Sequence, residues 1–185
     1  LVGFELVSVK RDQQQEPNRL EKRANGVRIY IGQQDVFLPP GSYQYQIEYR
    51  TDRQLGFFTD FDELYFNVTG NDWVFPILLA SASVTLPEPV SSHAVTLSGY
   101  TGKKGATRQN LTHYLQLNNQ FYFETTTPLD PFEGLTIVAS WPKDIISEPD
   151  SARKRQYFID DNAHSLTAAG GFLLVLLYYC IAWYK

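Results

Sequence analysis

Between Asp60 and Asp72 the chain gathers residue types that hold a hard cation. Asp60, Asp62 and Glu63 fall within four residues, and Asn67, Asn71 and Asp72 follow about one strand later. Carboxylate and amide oxygens are the ligands calcium takes, roughly six to eight at a time. The spacing departs from the helix-loop-helix calcium pattern, having neither a glycine at its sixth position nor a closing glutamate on schedule. The same side chains also serve as turn caps or as partners for nearby cations, here Arg50 or Arg53. Arg53, Asp60, Asp62, Glu63, Asn71 and Asp72 are therefore the candidate ligand-binding residues, with the identity of any metal open. Phe57 and Phe58 complete the block and read as core and edge packing rather than as a ligand platform.

Other constellations lack their parts. His93, His113 and His164 are far apart in the chain, none belongs to HExxH, and neither GxSxG nor a cysteine nucleophile occurs. Asp60, Asp62 and Glu63 are too close along one segment to flank a glycosidic bond from two sides. No enzyme and no cofactor are expected. GYTGKKGATR at 99 to 108 sets glycines beside Lys103, Lys104 and Arg108, a composition that cradles phosphate in P-loops, but no helical pattern follows it. It reads as a hairpin tip. The sequons at Asn67 and Asn110 matter only in a eukaryotic secretory protein, and Asn67 falls in an expected strand.

The elements that must position these residues are strands. Aromatic residues make up 15 % of the 185, with 12 Tyr and 12 Phe, a bias toward pleated surfaces. Tyr43, Tyr45, Ile47 and Tyr49 alternate with Gln44, Gln46, Glu48 and Arg50, the period of a strand with one buried face. The alternation recurs at Val27 to Ile31, Leu64 to Val68, Ala80 to Leu86, Val95 to Leu97, Phe121 to Phe123 and Leu135 to Ala139. Asn25-Gly26, Pro39 to Gly41, Gly70 to Asp72, Pro87 to Pro89, Gly99 to Gly105 and Asn118-Asn119 supply the turns. Eight to ten such strands without a long helical period predict an all-β domain over 1–141, an antiparallel β-sandwich of immunoglobulin-like type. Residues 10–25 carry many charges and one large apolar residue, which predicts a mobile loop.

The net charge of −4 gives no footprint for nucleic acid or another polyanion. Cys180 is the single cysteine, so neither a disulfide frame nor a thiolate zinc site is available. The chain opens on Leu, contains no Met and has no basic-apolar leader, and is read as a processed or cut piece whose export signal lay upstream. Residues 142–165 form a charged connector with a short helix expected after the Asp150-Ser151 cap. From Leu166 to Tyr184 there is no charged residue, a stretch long enough to cross a bilayer, with Tyr178, Tyr179, Trp183 and Tyr184 as an interfacial belt. The membrane is thus the first expected partner, through 166–184.

The string LPPGSYQYQIEYRTDRQLGFFTDFDELYFNVTGNDWVFPI resembles the signature of the YciQ-type bacterial predicted membrane proteins, a family built on a domain of unknown function. The likeness continues into ASASVTLP and GYTGKKG and then into the apolar tail. The family pattern favours Trp where this chain has Phe66, which keeps an aromatic on the strand. The resemblance implies an exported domain outside the cytoplasmic membrane, held by a helix leading to further membrane-spanning parts, with no established activity. It opposes the local charges, since Arg153, Lys154 and Arg155 precede the apolar stretch and Lys185 alone follows it. The expected function is an interaction or sensing module of the cell envelope, whose partners are other envelope proteins or the rest of the same chain. The alternative is a ligand-binding domain for calcium or a cell-wall polysaccharide.

Overall fold

Alternating residues in the first fifty positions build a sheet with two unlike faces. The computed structural model describes residues 2–23, 26–117 and 119–184. Strand β1 (Phe4–Arg11) turns at Asp12 and Gln13, whose φ values of 50° and 69° are those of a primed two-residue turn, into β2 (Gln14–Gln15). A hairpin of β3 (Asn18–Arg23) and β4 (Gly26–Ile31) follows, and β5 (Tyr45–Thr51) then pairs antiparallel with β1 in the order β2-β1-β5.

The expected loop at 10–25 is therefore mostly strand. Its charges do not prevent pairing because they find partners across and beside the ladder. Glu21 faces Arg28 in register, Arg11 Nε lies 3.2 Å from Glu16, and the Arg19 guanidinium sits 4.3 Å from the centre of the Tyr30 ring. Asn25 and Asn118, placed in turns by the sequence, lie outside the described residues.

The second half of the domain holds the core. Strands β6 (Leu55–Phe57), β7 (Phe61–Asn67), β8 (Ser81–Thr85), β9 (Thr96–Gly102), β10 (Leu111–Leu117), β11 (Gln120–Thr125) and β12 (Gly134–Pro142) form two antiparallel sheets. Their orders are β10-β11-β8 and β6-β7-β12-β9. On β12 the odd positions Leu135, Ile137, Ala139 and Trp141 are buried, and on β11 so are Phe121 and Phe123. Side chains of both sheets join one cluster, in which the Phe121 and Trp141 rings stack at 6.4 Å. Each large apolar side chain fully buried there contributes about 1.5 to 3 kcal/mol. Gly99 and Gly102 belong to β9, so the turn expected from Gly99 to Gly105 is shorter than the sequence pattern implied.

The helical unit stands as a separate body. Helix α1 (Ser151–Tyr184) starts where Asp150 Oδ1 accepts the Arg153 N–H at 2.7 Å, the cap the sequence placed there. It is one continuous helix rather than a short connector helix followed by a second. No proline follows Pro149, side-chain bonds such as Gln156 to Asp160 support the polar turns, and the adjacent Gly170 and Gly171 are tolerated at about 1 kcal/mol each. It is long and apolar enough to cross a membrane.

Candidate functional site

The acidic block is divided by the pleat of β7. Asp62 points inward with Leu64 and Phe66, whereas Glu63, Tyr65 and Asn67 point to the outer face. Asp62 is fully buried, and its Oδ1 accepts a hydrogen bond from Lys143 Nζ at 2.6 Å. The ammonium also lies 5.3 Å from the centre of the Phe57 ring, so an aromatic face shares in neutralising it. Among the described residues, Asp62 Oδ2 and the indole N–H of Trp141, its neighbour across the ladder, have no hydrogen-bond partner. A carboxylate placed so deep needs its cation, because the desolvation cost exceeds what an unpaired charge recovers.

The other candidates are elsewhere. Glu63 accepts a hydrogen bond from the Ser140 hydroxyl at 2.9 Å on the outer face. Asp60 is exposed just before β7, and Asp72 is exposed in the loop after it. Arg53 has a φ of 56°, with its Nε 3.8 Å from Asp52. Among the described residues no three carboxylate, imidazole or thiolate side chains gather closely enough to hold a metal ion. The histidines lie on three separate elements: a single helical turn at 92–94, β10 and α1.

What the structure does bring together is Asn67, Asn71 and the glycine loop. Asn67 Nδ2 donates to Asn71 Oδ1 at 3.0 Å, Asn67 Oδ1 accepts the Gly70 N–H, and Asn71 Nδ2 donates to the Gly102 carbonyl at 2.9 Å. The loop itself is ordered. The Thr101 N–H donates to the Arg108 carbonyl, Ala106 N–H to the Lys103 carbonyl, and Arg108 pairs with the buried Glu133. Gly102 and Gly105, at φ of 124° and 86°, provide the left-handed positions the turn requires.

Beside this loop an open groove of about 380 Å³ runs over the outer face of β7, β12 and β9. Thr136 of β12 is flanked in register by Asn67 on one side and Tyr100 on the other, and the Tyr65 and Tyr100 rings lie 6.4 Å apart. Lys103 and Lys104 line its end. Sequence reasoning singled out the loop but missed the tyrosines. Their outward phase was readable from the alternation, whereas their approach across β12 depends on the strand order β7-β12-β9.

A second feature is the half-covered apolar side of the β2-β1-β5 sheet. Register places Leu6 opposite Tyr49, Val9 opposite Ile47 and Arg11 opposite Tyr45, so these share one face, while Glu5, Lys10, Gln46, Glu48 and Arg50 share the other. Val9 is fully buried, yet Tyr45, Ile47 and Tyr49 remain 44, 42 and 43 % exposed. The strongest alternation in the sequence thus marks an apolar face that this chain covers only in part: Val9 is buried and Tyr45 shares a cavity with Ile31, Val36 and Leu38, while the β5 side chains stay half exposed.

A β-rich domain together with a helix long and apolar enough to span a bilayer is the make-up of a membrane-anchored protein, and the family match agrees with it. The chain belongs to the family described as predicted membrane protein (DUF2207), whose N-terminal domain matches residues 3–141. It is similar to the uncharacterized protein YciQ of Escherichia coli (strain K12), 28 % identical over 177 residues that make up 95 % of this chain and 26 % of that protein. The chain therefore spans about a quarter of the length of this relative. No solved structure matches it.

Proposed function

We propose that this chain is an extracytoplasmic β-sandwich module, anchored by residues 166–184, that acts by binding a protein partner of the cell envelope rather than by catalysis. The observation that carries the reading is the half-exposed apolar row Tyr45, Ile47 and Tyr49 on β5. A soluble domain gains nothing by holding three half-exposed large side chains in one row, whereas an interface buries them. The immunoglobulin-like sandwich is our reading of the two antiparallel sheets that share the Phe121 and Trp141 core.

The test is a photo-crosslinking residue placed at Tyr45 of the full-length protein in intact cells, with one at Tyr65 as control. A protein adduct at Tyr45 that is absent at Tyr65 supports the reading, and its mass distinguishes another part of the same chain, a second copy and a different envelope protein. Adducts to lipid alone, or equal labelling at both sites, would refute it. A second reading, a ligand domain for a cell-wall polysaccharide, is favoured by the Tyr65 and Tyr100 groove. Calcium, the other half of that alternative, draws no comparable support from the separated carboxylates.

A further inference from the structure

We infer that the groove over β7, β12 and β9 is a binding site for an acidic saccharide, stacked on Tyr65 and Tyr100 and held at its anionic group by Lys103 and Lys104. The inference rests on the polysaccharide reading above and is independent of the apolar face on β5. A sugar ring offers a hydrophobic C–H face and an edge of hydroxyls. The groove answers both.

Tyr65 is 59 % exposed and lies 6.4 Å from the half-buried Tyr100 ring across the central strand, so the tilted pair presents an aromatic platform to C–H groups. Asn67 and Asn71 line the same groove in fixed orientations, each amide using one N–H and leaving a second for a hydroxyl. Because Gly102 already holds Asn71, and Asn71 and Gly70 hold Asn67, binding costs little side-chain ordering. Gly134 forms part of the floor. A Cβ there would stand 2.5 Å from the Gly70 carbonyl, so the close approach of the turn at Gly70 and Asn71 to β12 depends on glycine.

The choice of an acidic sugar comes from the two lysines. Among the described residues neither Lys103 nor Lys104 has a carboxylate within ion-pair distance, while the neighbouring Arg108 is engaged by Glu133. Two ammonium groups beside an aromatic and amide floor match a uronate carboxylate or a sugar phosphate. With a net charge of −4 the whole chain gives no long-range attraction to a polyanion, so selectivity is local to the groove.

The full chain in phosphatidylcholine nanodiscs should bind a hyaluronan tetrasaccharide by calorimetry and bind neutral chitotetraose at least about tenfold more weakly. The Tyr65→Ala and Tyr100→Ala variants should each weaken binding about tenfold, with Tyr65→Phe and Tyr100→Phe restoring it because the ring is kept. The double change Lys103→Ser, Lys104→Ser should abolish the preference for the acidic sugar. Circular dichroism of the Ala variants guards against loss of fold. Absence of tetrasaccharide binding, equal binding of chitotetraose, or inorganic phosphate competing equally in wild type and Tyr100→Ala would overturn the inference. So would lysine-dependent binding to phosphatidylglycerol vesicles without tetrasaccharide binding. None of these outcomes bears on crosslinking at Tyr45.

Discussion

The same truncation made at Ile137 and at Ile47 separates a covered β face from an open one. Both residues sit at the apolar phase of a strand, but Ile137 is 2 % exposed between the two core sheets and Ile47 is 42 % exposed on β5. Replacing isoleucine by alanine removes three carbon groups, about 0.8 kcal/mol each when buried, or about 2.4 kcal/mol of transfer free energy. At Ile137 a cavity term adds to this, so Ile137→Ala should cost about 3 to 4 kcal/mol. At Ile47 only some three-fifths of the group leaves water and solvent fills the space, so the cost should be about 1.4 kcal/mol or less. Urea unfolding of the full chain in neutral detergent, followed by far-ultraviolet circular dichroism with a common slope, measures the difference. Equal losses would mean that the β5 face is as well covered in the isolated protein as the core, against the exposures above. A small loss at Ile137 would refute the placement of the core itself.

Lys143→Met should destabilise the domain by about 3 kcal/mol in the same assay, because it strands a buried carboxylate, whereas Asp62→Asn should cost about 1 kcal/mol. Calcium should leave the melting temperature of the full chain unchanged, in contrast to the gain of about 2.7 kcal/mol expected of a bound ligand at about 100 times its dissociation constant; a rise lost in Asp62→Asn would reverse this. Gln44→Cys should react with a membrane-impermeant thiol reagent in intact spheroplasts once Cys180 is replaced by serine, and labelling only after lysis would place the domain on the cytoplasmic side.

Much of the domain was legible because a strand's side-chain period is a local property. Residues 45 to 49, 64 to 66, 121 to 123 and 135 to 139 all lie on strands, and the inward set on β12 is the one the alternation marked. The Asp150 cap and the apolar tail were equally readable, since capping and helix length are decided within a few turns. The charged strands at 10–23 were not, because their stability comes from cross-strand partners such as Glu21 and Arg28 that a local composition test scores as solvated.

The candidate ligand residues show the same division. Their oxygen-rich composition was plain in the sequence, and a period of two already implies that Asp62 and Glu63 face opposite ways. That Asp62 meets Lys143, and that Tyr65 meets Tyr100, follows from pairings between segments 35 to 81 residues apart. Period also says which side of β5 is apolar, but whether anything lies on that side is a question of long-range packing. By itself, the sequence determined the strands of alternating apolar pattern, their phases and a helix long and apolar enough to cross a membrane, because hydrogen-bonding period and hydrophobic length are local. Tertiary structure alone decided which apolar face is buried and which side chains share a groove, because contacts between distant strands depend on sheet order and register.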